Sequence, residues 1–117
     1  MTTGSGMAAV ETAYYAFLDP TSHVVATTSL YGASRSLIEK DEYYKKWGIQ
    51  ATFLDTSDVD KVRAAVKLPN TRLLYIETPA NPTLAITDIE QMAEVAREAR
   101  IPLVVDNTFC SPYLQNP

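Results

Sequence analysis

The sequence predicts an α/β fold, a parallel sheet with helices on both faces, in a single domain. Three observations carry this. Helical and strand patterns alternate as a helix, then strand–helix three times, then a strand, an order that right-handed βαβ units satisfy. The run Arg72-Leu73-Leu74-Tyr75-Ile76 is almost continuously apolar, as in a strand buried on both faces. The 117 residues are 46% hydrophobic and 21% charged, an ordinary globular composition at the size of one domain.

The first helix is predicted over residues 6–18, where Met7, Val10, Tyr14, Phe17 and Leu18 recur at helical spacing. Asp19-Pro20 ends it, because the residue before proline is pushed out of the α region. His23-Val24-Val25-Ala26-Thr27 reads as a short β-branched strand. Residues 33–47 read as one helix with Leu37, Ile38, Tyr44 and Trp47 inward, stopped by Gly48. Residues 49–54 form a second strand. Residues 58–67 carry Val59, Val62 and Val66 on one face of a helix that Pro69-Asn70 closes. Residues 72–76 are the third strand. Thr87 and Glu90 have capping-box spacing before a helix with Ile89, Met92, Ala93, Ala96 and Ala99 on one stripe. Pro102-Leu103-Val104-Val105 is the fourth strand, ending at Asp106.

Net charge is −4 and the isoelectric point is about 4.8, so the basic footprint of a nucleic-acid binder is absent. No apolar run approaches the roughly 20 residues of a membrane span. The first residues lack the basic and apolar regions of a signal peptide. The single cysteine, Cys110, excludes an internal disulfide. Together these give the expectation of a cytoplasmic protein without nucleic-acid or membrane partners. No cluster of Cys, His and acidic residues has metal-ligand spacing, so no metal is expected. There is neither a Gly-x-Ser-x-Gly elbow nor a Walker-type loop.

Ligands of open parallel sheets bind beyond the carboxyl ends of the strands. This singles out residues 29–33, 77–83 and 106–113, with residues 3–7 at the same edge. Gly4-Ser5-Gly6-Met7 opens a helix whose free N–H groups suit an anion; an ordinary Ser5 N-cap is the plainer reading. Tyr31, beside Gly32, suits stacking on a flat ligand or a half-buried ring. Asn81, in the stiff Glu77-Thr78-Pro79-Ala80-Asn81-Pro82 loop, suits donation to an oxygen or a simple turn. Asp106, leading into Asn107 and Thr108, ends a buried strand, where a carboxylate needs a cation or strong donors. A protonated pyridine nitrogen is one such cation; a strand-end cap is the alternative. His23 sits at the opposite end and reads as structural, and Cys110 as an inert thiol.

The ordered set Ser5-Gly6-Met7-Ala8-Ala9, Leu30-Tyr31-Gly32, Tyr75-Ile76-Glu77-Thr78-Pro79-Ala80-Asn81-Pro82 and Val104-Val105-Asp106-Asn107-Thr108-Phe109, with Ser111-Pro112-Tyr113-Leu114, resembles the Cys/Met-metabolism family of fold-type I (aspartate-aminotransferase-like) enzymes that use pyridoxal 5'-phosphate (PLP). The resemblance implies that Ser5, Gly6 and Met7 contact the phosphate. It implies that Tyr31 stacks on the ring and assists as a general acid, and that Asn81 meets the phenolic oxygen. Glu77 supports that corner, Asp106 pairs with the pyridine nitrogen, and Thr108 completes the cofactor-binding set. It implies sulfur amino acid substrates, a carbon–sulfur lyase reaction by γ-elimination, and a homotetramer. A γ-replacement reaction of the cystathionine γ-synthase or O-acetylhomoserine sulfhydrylase type is the alternative.

The family's lysine would follow the Asp106 segment, yet no lysine follows Lys67. The expectation is therefore a partial large domain over residues 1–117, without the N-terminal segment, the Schiff-base lysine segment and the C-terminal small domain, and inactive alone. Ala33 stands where some methionine γ-lyases carry cysteine. In the family's sheet the strands lie in spatial order 2-1-3-4, leaving Pro102–Val105 as an edge blunted only by Pro102. A non-catalytic phosphate- or PLP-binding or self-associating module is the competing reading. A flavodoxin- or receiver-like protein is disfavoured, since no acidic cluster or Ser/Thr-rich phosphate loop follows a strand.

Overall fold

A computed structural model describes residues 1–117. Four parallel strands, β1 (His23–Thr27), β2 (Gln50–Leu54), β3 (Thr71–Glu77) and β4 (Leu103–Asp106), lie in the order β2-β1-β3-β4. This is the order that the resemblance implied. Helix α1 (Gly6–Phe17) precedes them, and α2 (Gly32–Lys40), α3 (Glu42–Lys46), α4 (Val59–Ala65) and α5 (Ile89–Ala99) connect them.

Strand alternation divides the core into two layers. Val24 and Ala26 of β1 and Leu73 and Tyr75 of β3 face Val10 and Tyr14 of α1, Ile38 of α2 and Tyr44 of α3. Val25, Leu74 and Ile76 face Val62 of α4 and Met92 and Val95 of α5. Helices thus cover both faces. The central strands β1 and β3 are buried nearly throughout, while the edge strands β2 and β4 are mostly half-buried. Leu74 is 0% exposed. Leu74→Ala is expected to cost about 2–5 kcal/mol, the transfer and cavity terms together, read as a lower urea midpoint.

The helix expected over residues 33–47 is two helices. Asp41 is extended between them; its N–H donates to the Ser36 carbonyl and its carboxylate accepts from the Tyr43 N–H at 2.8 Å. One residue therefore ends α2 and caps α3, a competition that Asp wins against helix continuation. Gly48 then leaves with φ of +69°, which glycine adopts without a Cβ penalty. The cap of α5 is Asp88 rather than Thr87: Asp88 accepts from the Gln91 N–H at 3.0 Å and from the Gln91 side chain at 2.8 Å. Thr87 is instead buried, its hydroxyl bonded to that of Thr56 at 2.6 Å. Phe17, one of the apolar residues at helical spacing in α1, is exposed, and Val95 joins the buried face of α5.

His23 is buried with Nδ1 on the Thr71 hydroxyl at 2.8 Å and Nε2 on the Thr52 hydroxyl at 2.9 Å. From the amino end of β1 it bonds the first residue of β3 and the middle residue of β2, the structural role that the sequence suggested. Burial lowers its pKa below the ordinary 6.5. Below that value the unfolded chain takes a proton that the folded chain does not, so stability falls as pH drops through about 6.5 towards the folded pKa. The difference between urea midpoints at about pH 8 and about pH 5.5 should be smaller in His23→Gln than in the wild type. No helix is long and apolar enough to cross a membrane.

Candidate functional site

Parallel register aligns the carboxyl ends of the strands: Ala26 of β1 pairs with Tyr75, and Glu77 of β3 pairs with Asp106 of β4. The segments leaving these ends meet around a cavity of about 180 Å³ lined by Tyr31, Glu77, Asn81, Asp106, Thr108 and Phe109.

Glu77 organises the wall. It is 5% exposed, so its charge needs compensation. Its Oε2 accepts the Tyr31 N–H at 2.7 Å and its Oε1 accepts the Asn81 N–H at 2.8 Å. One carboxylate thereby fixes two loops that are 46 residues and four residues away in sequence. The Asn81 loop is tied further by the Leu84 N–H to the Ala80 carbonyl at 2.7 Å and by the Thr87 N–H to the Thr78 hydroxyl at 3.0 Å. Tyr31 presents a ring that is 44% exposed, available for stacking.

Asp106 is held at both oxygens. Its Oδ1 accepts the Thr108 N–H at 3.1 Å and the Thr108 hydroxyl; its Oδ2 accepts the Tyr75 hydroxyl at 3.2 Å. Asp106 therefore caps a local amide and also lines the cavity. No lysine or arginine lines that cavity. The chemistry that completes such a site is a cationic N–H donor beneath an aromatic face.

A second cavity of about 180 Å³ shares Asp106 and Thr108 and is lined by Gly6, Val10 and Tyr75 among others. It reaches the start of α1. There Ser5 caps the helix, its hydroxyl accepting the Ala8 N–H at 3.1 Å, and the Met7 sulfur lies 3.9 Å from the Ser34 hydroxyl. First-turn N–H groups such as those of Gly6 and Met7 have no intrahelical acceptor, and a Cβ built on Gly6 would meet nothing within 4 Å. Of the residues singled out in the sequence, Tyr31, Glu77, Asn81, Asp106 and Thr108 share one cavity. Gly6 borders its neighbour, while Ser5 and Met7 line neither. Larger hollows of about 420 and 450 Å³ lie at the amino end of the sheet, near Asn70 and Leu68. Their one imidazole, His23, has both nitrogens engaged.

Tyr75 and Phe109 were not among the residues assigned to the site. The signal for Tyr75 was strand periodicity: two residues before Glu77, it shares that residue's face. Phe109 had none beyond its place in the last loop.

The model of the "Cys/Met metabolism PLP-dependent enzyme" family matches residues 1–117. The chain belongs to this family. Cystathionine gamma-lyase of Bacillus subtilis is 45% identical over 113 residues, which are 97% of this chain and 29% of that protein. Cystathionine gamma-synthase of Mycobacterium tuberculosis is 44% identical over 113 residues, 97% of this chain and 28% of that protein. The crystal structure of metB from Corynebacterium glutamicum superposes with a TM-score of 0.85 at 46% identity, covering 93% of this chain and 28% of that one. The chain thus spans under a third of the length of these relatives. Members of the Cys/Met family use PLP. The residues of the two adjoining cavities fit that group: in the first Asp106 offers an anionic acceptor and Tyr31 an exposed aromatic face, and in the second Gly6 opens the first turn of α1 beside open space.

Proposed function

We propose that this chain forms the central part of the large PLP-binding domain of a carbon–sulfur lyase that acts on a sulfur amino acid by γ-elimination. The observation that carries the reading is the meeting of Tyr31, Glu77, Asn81 and Asp106 at one cavity beyond the strand ends. Bound there, PLP supplies an electron sink for charge developing at the substrate's α-carbon. Asp106 holds a proton on the ring nitrogen by presenting a fixed negative charge. Tyr31 covers one ring face and offers its hydroxyl as a general acid towards the leaving group. Asn81 donates to the phenolic oxygen. Glu77 holds these last two in place through their backbone amides. Ser5, Gly6 and Met7 meet the phosphate at the start of α1, where the helix dipole favours an anion, and Thr108 steadies Asp106.

The group that bonds the cofactor covalently and the group that binds the substrate carboxylate belong, in this reading, to segments outside residues 1–117. The domain is therefore partial, and the chain alone is inactive. The enzyme is cytoplasmic and a homo-oligomer, a tetramer on the family pattern. A γ-replacement enzyme is the second reading, since the chain is about as similar to a synthase as to a lyase.

The site is tested by titrating the chain with 4'-deoxypyridoxine 5'-phosphate, which lacks the aldehyde that condenses with surface lysines. Saturable binding that Tyr31→Ala and Asn81→Ala each weaken by about tenfold is expected. Binding indifferent to both contradicts it. Rapid ketoacid release by the 117-residue chain, given PLP and a lyase substrate, would refute the inactivity.

A further inference from the structure

We propose that Tyr75 is a positioning residue for Asp106, its buried hydroxyl fixing Oδ2 while Thr108 fixes Oδ1, so that the carboxylate keeps one orientation towards the cavity. The proposal rests on the reading of that cavity as the PLP site.

Tyr75 lies in the core layer that faces α1 and is 1% exposed. Its ring is held at 5.2 Å and 56° by Tyr14, which is itself held edge-on by Tyr44 at 6.1 Å and 84°. A phenylalanine would fill this layer equally well. The hydroxyl has a different job, because a buried O–H needs an acceptor. Here that acceptor is Asp106 Oδ2 at 3.2 Å. The groups around Asp106 are Tyr75 and Glu77 of β3, Tyr14 of α1, Tyr31 before α2 and Thr108, with no cation among them. Burial, with Tyr14 and Asp106 adding to it, drives the Tyr75 pKa far up. Its hydroxyl thus keeps its proton and donates at every working pH. Thr108 alone holds one oxygen and leaves the carboxylate free to turn about that anchor; the second donor on the other oxygen removes this freedom. The ring stack behind Tyr75 makes the donor rigid, which is what positioning requires.

The test is Tyr75→Phe in the full 117-residue chain, with Tyr14→Phe as the control, whose lost hydroxyl donates to the Ser34 carbonyl and not to Asp106. In the wild type the Hα–Hβ couplings of Asp106 should report one rotamer, and in Tyr75→Phe an average. Binding of 4'-deoxypyridoxine 5'-phosphate should weaken by roughly tenfold. Tyr14→Phe should change neither. Couplings and affinity that stay at wild-type values in Tyr75→Phe overturn the proposal. Should that variant fail to fold, the Tyr75 hydroxyl proton decides. It should be slow to exchange in the wild type and fast in Asp106→Ala; an unchanged resonance overturns the proposal. A wild-type chain that binds no analogue defeats the cofactor-site reading, while the couplings still decide whether Tyr75 grips Asp106.

Discussion

Asp106→Asn is expected to weaken binding of 4'-deoxypyridoxine 5'-phosphate about a hundredfold. The analogue's pyridine nitrogen is a base whose protonated form pairs with a carboxylate. The amide of asparagine keeps the shape and the Tyr75 and Thr108 contacts in part, but carries no charge to hold that proton. Removing one partner of a close charge pair typically costs 2–5 kcal/mol. Asp106 is half-buried rather than fully enclosed, so the lower half of that range applies, close to two orders of magnitude. Isothermal titration measures the affinity, and the analogue's absorbance reports whether its nitrogen is protonated when bound. The protonated spectrum should be lost in the variant. Stability should fall only modestly, because the Thr108 contacts are local and the asparagine amide can still meet the Tyr75 hydroxyl, now as the donor.

Glu77→Ala should instead strike fold and site together. The substitution leaves the Tyr31 and Asn81 N–H groups without the acceptors they have at 2.7 and 2.8 Å, and it opens a gap at a position 5% exposed. Each stranded donor costs about 1–3 kcal/mol, and both lie in partly buried loops, so a loss of about 2–4 kcal/mol is expected. With a urea slope of roughly 1–3 kcal/mol per molar, the midpoint falls by about 1 M or more. Glu77→Gln should lie between, since its amide presents an acceptor to one loop and a donor to the other. The affinity for the analogue should fall in both variants, because Tyr31 and Asn81 lose their common anchor. A stable Glu77→Ala chain would mean that the two loops are held by other contacts.

The strands were the most legible part of the sequence. Val24 to Ala26 and Leu73 to Ile76 are short apolar runs, and a strand buried on both sides has few other sequence forms. The order β2-β1-β3-β4 followed from the resemblance and not from periodicity, which says nothing about neighbours. Helix ends were less legible, because several adjacent residues compete to cap. Asp41 breaks what apolar spacing alone reads as one helix, and Asp88 takes the role that spacing assigned to Thr87, which the core claims for its bond to Thr56. The site was legible by residue type but not by connection. Tyr31, Asn81 and Asp106 stood out at strand ends, and Glu77 had only a supporting part. That its carboxylate would bridge the loops after β1 and β3 depends on tertiary contacts that no local pattern encodes. Tyr75 was hidden for a related reason: an aromatic in an apolar strand reads as core, and its ring is core, while its hydroxyl bonds Asp106.

Amide chemical-shift mapping of the isotopically labelled chain, titrated with 4'-deoxypyridoxine 5'-phosphate, tests most directly whether these residues serve one ligand. Saturable shifts are predicted at Gly6, Met7, Tyr31, Asn81 and Thr108, on both sides of the carboxyl end of the sheet and with one dissociation constant. Shifts gathered instead around His23, Asn70 and Arg72 at the amino end, or spread over the surface without saturation, would contradict it.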